Sequence, residues 1–120
     1  MNTKFILAGM CLAIAAISLT ISSHTARAID GDALTGLCGD VYRVTDTAQC
    51  QGYVEGIADV MSGGDSIASY KACFAKATSD EQILSAVEDY LRDAADEGAD
   101  PAPRLVAKAL TRAFPCRPVT

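Results

Sequence analysis

Residues 50–61 read Cys50-Gln51-Gly52-Tyr53-Val54-Glu55-Gly56-Ile57-Ala58-Asp59-Val60-Met61, and this stretch decides the fold. Tyr53, Val54, Ile57, Val60 and Met61 recur at the three- and four-residue spacing of one face of an amphipathic helix. Gly52 and Gly56 stand one turn apart beside that stripe, where each glycine costs about 1 kcal/mol relative to alanine. Small residues at this spacing let a second backbone come close, either a neighbouring helix or a second copy of the chain. Cys50, in the first turn, ties the helix to another part of the molecule. The expectation is the central helix of a small, disulfide-held bundle.

Upstream, residues 1–28 read as a secretory leader. Lys4 gives a positive start, and residues 5–21 are apolar apart from Gly9, Ser18 and Thr20. Ala26-Arg27-Ala28 then offers the small residues that a signal peptidase needs. Cleavage is expected after Ala28, leaving residues 29–120 as one exported domain; a retained membrane anchor is the competing reading. Cys11 follows Met10 rather than the small residue of a lipoprotein site, and is expected to leave with the leader. Loss of Lys4 and Arg27 takes the net charge from −5 to −7. So acidic a domain has no electrostatic reason to bind nucleic acid or an anionic membrane, and it favours a basic partner.

Three further helices are predicted along residues 29–120. Leu34, Leu37, Cys38 and Val41 share one face over residues 32–41. The central helix is expected to start at an Asp46 N-cap and to stop at Ser62-Gly63-Gly64-Asp65. Residues 66–78 have no clear period and read as an ordered loop with at most one helical turn. Ser79 and Gln82 form a capping box for a third helix, with Ile83, Leu84, Val87, Tyr90, Leu91 and Ala94 inward and Gly98 at its end. Asp100-Pro101 opens a fourth, carrying Leu105, Val106, Ala109, Leu110 and Ala113 and closed by Pro115. Four helices with short connections predict an all-α, up-and-down four-helix bundle.

A chain this short buries only about 60–65% of its unfolded surface and needs added support. Cys38, Cys50, Cys73 and Cys116 supply it as two disulfides, each contributing roughly 2–4 kcal/mol. All three pairings are open on sequence alone. An up-and-down order places Cys38 and Cys50 at one end and Cys73 and Cys116 at the other, which favours Cys38–Cys50 and Cys73–Cys116.

The only histidine, His24, lies in the leader, so no Ser-His-Asp, Cys-His or histidine-zinc arrangement can be built downstream. No catalytic residue, metal ligand or cofactor is expected. Glu55 with Asp59, and Glu88 with Asp89, are carboxylate pairs that an acid–base enzyme could use, or simply solvated helix faces. Asp93, Asp96, Glu97 and Asp100 form an acidic cluster, either a solvated face or a patch for a basic partner. Gly52, Tyr53 and Gly56 mark close packing or a dimer contact. Residues 62–78 form a candidate partner-binding loop through Asp65, Ser66, Ile67, Ser69, Tyr70, Lys71 and Phe74. The alternative is that Ile67 and Phe74 plug the end of the core.

The sequence resembles the Rap/Tai group of type VI secretion immunity proteins. The matching pieces are Leu37-Cys38, Cys50-x-Gly52-Tyr53-Val54-x-Gly56, Cys73, Gln82-Ile83 with Tyr90-Leu91, and Leu105-Val106-x-x-Ala109-Leu110 running into Phe114-Pro115-Cys116. They cover most of residues 29–120. The chain departs from the group at Ala75, where a proline is common. The resemblance implies a periplasmic, helical, often dimeric protein that binds a cell-wall amidase effector and blocks its active-site cleft with a loop. Residues 62–78 match that loop by position, not by side chains. A general periplasmic helper, a stress chaperone or envelope factor without a toxin partner, is the alternative function.

Overall fold

Residues 28–39 and 42–117 are described by a computed structural model. The helices are α1 (Gly31–Gly39), α2 (Val44–Ser62), α3 (Asp80–Asp93) and α4 (Ala102–Ala113), with a 3-10 turn at Ala95–Glu97. Each helix touches the other three, so one core serves them all. Among the described residues backbone pairing outside the helices is limited to isolated bridges. The all-α bundle is as expected, and the cysteines pair as Cys38–Cys50 and Cys73–Cys116. Residues 1–27, where a leader is expected, and Val41 at the end of the first stripe lie outside the described residues.

The inward face of α2 is Cys50, Val54, Ala58 and Met61, all 5% exposed or less, with Tyr53 and Ile57 half-buried at its margin. Val60, expected in this stripe, is 47% exposed. It lies two residues from Ala58, about 200° around the helix, and so faces outward. The expected Asp46 cap is also displaced. The helix begins earlier, with Arg43 in the cap position and its carbonyl accepting the Thr47 N–H at 3.0 Å. Asp46 instead sits in the first turn, 3.3 Å from the Arg43 guanidinium. A carboxylate suits the positive helix end at either position, so residue type alone did not fix the boundary.

Gly52 and Gly56 do not mediate packing inside the bundle. Both are exposed, and a Cβ built on either would meet no atom within 4 Å. The close approach occurs elsewhere, at buried Gly31, where a Cβ would lie 3.1 Å from the carbonyls of Glu97 and Gly98. That approach belongs to a strap that the chain's first described residues lay across the α3–α4 connection. Gly31 N–H donates to Asp100 O at 2.8 Å, Asp32 N–H to Gly98 O at 2.9 Å and Ala102 N–H to Ile29 O at 3.0 Å. The Asp30 carboxylate accepts the Ala33 N–H at 2.9 Å and so caps α1.

Ser79 and Gln82 make both halves of the predicted capping box. α3 then buries Ile83, Val87, Tyr90 and Leu91 but ends at Asp93, short of the expected Gly98. Two forces favour the break. Negative charge at Asp93, Asp96 and Glu97 opposes the C-terminal dipole. A continuous helix would also carry Glu97 about 10 Å along the axis beyond Tyr90, whereas the 3-10 turn returns its carboxylate to the Tyr90 hydroxyl at 3.0 Å. α4 begins at Ala102 with Pro101, not Asp100, in the cap position and Pro103 in the first turn. Leu105, Val106, Ala109 and Leu110 are buried as expected, joined by Ala102 and Ala107, while Ala113 is exposed.

Candidate functional site

The connection from α2 to α3 contains no helical turn; it is a folded-back strap pinned at two points. Gly64, at φ 97°, turns the chain away from α2. Ile67 and Tyr70 then exchange both backbone hydrogen bonds, 3.0 and 2.9 Å, around Ala68 and Ser69. Those two residues have φ of 50° and 70°. Neither is glycine or asparagine, so the tight turn carries strain of roughly 1–2 kcal/mol per residue. Strain of this kind persists only where the surroundings over-determine the conformation.

The second pin is near the end of α4. Ala72 bridges to Pro115, and Cys73 N–H donates to Phe114 O at 2.9 Å. The rings of Phe74 and Phe114 lie 5.2 Å apart at 55°. The Cys73–Cys116 disulfide closes the same junction. The seven loop candidates therefore divide. Ile67, Tyr70 and Phe74 are half-buried against the core, and Asp65, Ser66, Ser69 and Lys71 are exposed. The apolar three hold the loop down while the polar four present a surface.

The acidic cluster also divides. Asp93 and Asp96 are exposed. Asp100 stands 3.9 Å from Arg104, and Glu97 is 2.7 Å from the Lys108 ammonium. Hydrogen bonding to Lys108, and then to Tyr90, holds the Glu97 carboxyl below its ordinary range. The same Glu97 contact, followed by Tyr90, raises Lys108. Burial raises the Tyr90 phenol. Glu97 is therefore a fastener between the 3-10 turn and α4, not part of an open patch. The sequence showed the acidic cluster but not that Lys108, eleven residues on from Glu97, would reach it.

One member of each carboxylate pair meets a neighbour on its own helix. Glu55 accepts a hydrogen bond from Gln51 at 2.8 Å, and Asp89 pairs with Arg92 at 3.0 Å. Glu55 and Asp59 border a small hollow of about 200 Å³ beside Phe74. Gly52 and Gly56 lie on an outward face of α2 that also carries Val44, 82% exposed, and Val60. Tyr53 is half-buried at the edge of that face, and burial raises its phenol pKa. Sequence reading did not find one feature, an open groove of about 690 Å³ along the seam between α3 and α4. Its signal was the small pair Ala109 and Ala113 opposite Ala86, which leaves a trough where larger side chains would fill it. Among the described residues no three His, Cys, Asp or Glu side chains gather as a metal site, and no helix is long and apolar enough to cross a membrane.

Comparison with known families decides what this bundle is. The family model of the Rap1a immunity proteins matches residues 30–116. The chain belongs to this family. None of the curated proteins compared with it matches. Membership implies a type VI secretion immunity protein whose partner is an effector protein. In this Rap1a family member the matched span contains all four helices, both disulfides and the doubly pinned loop.

Proposed function

We propose that the chain is a periplasmic immunity protein that binds a cell-wall amidase effector and occludes its active-site cleft with residues 62–78. The observation that carries this is the strained, doubly pinned loop, whose polar residues Asp65, Ser66, Ser69 and Lys71 point outward. A loop held this way inserts into a cleft with little further loss of conformational freedom, which favours affinity. The protein acts by occlusion and not by catalysis. Two disulfides suit the oxidising periplasm, and the family match begins at Asp30, just beyond the proposed cleavage after Ala28. The outward face of α2 at Gly52, Tyr53 and Gly56 is the proposed contact for a second copy.

Periplasmic coexpression with candidate type VI amidases tests the reading. Wild type restores growth against its cognate enzyme. Ser69→Arg and Lys71→Glu, at exposed loop positions, restore less while folding normally. Protection that is unchanged by both substitutions would refute occlusion by the loop.

A further inference from the structure

The α3–α4 groove is not used by the loop mechanism, yet it opens beside it. Ser79 and Arg112, at one end of the groove, adjoin Thr78 and the Phe114–Cys116 junction that pins the loop. We infer that this groove is a second docking surface, taking a basic amphipathic segment of the protein partner. The inference rests on the immunity reading only for the source of that segment.

Three features specify the occupant. The floor is Ala86, Ala109 and Ala113, short side chains over which an apolar ridge can lie close. On the α3 side the lining runs from Ser79 to Asp93, about 21 Å or four turns of an incoming helix, while α4 contributes about one turn, Ala109 to Ala113. The rim carries Glu81, Asp89 and Asp93 against a single cation, Arg112. Of these carboxylates only Asp89 has an ionic partner, the exposed Arg92, among the described residues. The complement of such a lining is a segment with apolar side chains along its centre and lysine or arginine along its flanks. An anionic or wholly polar segment would leave either the rim charges or the alanine floor unmatched.

A synthetic helix of about four turns, leucine on one face and lysine on the other, is the probe. It is titrated into the isotope-labelled domain and followed through amide chemical shifts. The expected shifts centre on Ala86, Asp93 and Ala113. Asp93→Lys and Ala113→Trp should each weaken binding about tenfold. The first places a cation in the last turn of α3, where the helix dipole favours it, so lost binding cannot be attributed to lost folding. Asp59→Lys, on α2, should leave binding within about twofold. Equal weakening by Asp59→Lys, shifts centred off the groove, or no binding would overturn the inference. Ser69→Arg separates the two ideas: it should impair protection against an amidase while leaving binding of the peptide intact.

Discussion

Replacing both Cys73 and Cys116 by alanine removes the covalent half of the loop's second pin. The bond closes a loop with a sequence separation of 43, and the chain-entropy account gives about 4 kcal/mol for a loop of that length. Cys73 is exposed and Cys116 half-buried, so the change removes little apolar contact and reports mainly on the cross-link. Against a total stability of about 5–15 kcal/mol the domain should still fold, with a much reduced margin. Urea titration followed by far-ultraviolet circular dichroism should show the midpoint falling by roughly 2 M, with a steeper transition because the freed unfolded chain exposes more surface. The loop should loosen before the core does. What remains at the junction is the Cys73–Phe114 hydrogen bond and the Phe74–Phe114 pair, together about 2 kcal/mol. Hydrogen exchange should therefore accelerate more at Tyr70 and Cys73's replacement than at Val54 or Leu110. A stability loss below about 1 kcal/mol, or a Tyr70 amide as protected as before, would refute this account of how the loop is held.

The remaining expectations are local. Gly52→Ala and Gly56→Ala should each stabilise the isolated domain by about 0.5–1 kcal/mol, since alanine favours the helix and meets open space; a loss in thermal unfolding would mean that a second backbone lies there. Leu110→Ala, at a fully buried position, should cost about 3–5 kcal/mol in urea unfolding, and a cost below about 1 would contradict the single shared core. The Glu97–Lys108 contact sets a pH dependence. Glu97 is lowered from 4.5, so its contribution is complete above that value and is lost as acid protonates the folded state. Lys108 is raised from 10.5, so its contribution is complete below that value and is lost in strong alkali. Glu97→Gln should accordingly lose less stability than wild type when urea midpoints are compared on acidification below 4.5; parallel losses would show that other carboxylates carry the acid sensitivity.

Period and capping chemistry made the bundle legible in the sequence. Ser79 and Gln82 announced the start of α3, and the helix stripes identified most of the core. Boundaries failed where one residue type serves two positions equally, as at Asp46 and Asp100. They also failed where a long-range contact outweighed local preference, as where Glu97 turns back to Tyr90 and Lys108. Gly52 and Gly56 carry a related ambiguity: glycine permits a close backbone without saying whether it belongs to the same bundle, where none approaches, or to a second copy. The loop could be located but not shaped. Its turn at Ala68 and Ser69 lacks the glycine or asparagine that normally marks positive φ, because distant partners impose it. The groove was hidden because emptiness between two helices is a property of their packing, which neither helix carries alone.

The strap laid across the α3–α4 connection has a consequence for the order in which the molecule is completed. A chain is made from its N-terminus, yet Ile29, Gly31 and Asp32 find their partners only when Gly98, Asp100 and Ala102 have followed. Cys38 and Cys50, with a separation of 12, can join while most of the chain is still being made. Cys73 must wait for Cys116, near the far end. Contacts between distant residues form late because more chain must be ordered to reach them. The surface-bearing loop is thus among the last parts to be fixed, and a chain cut short before Pro101 would keep its first staple but have no seat for its own beginning.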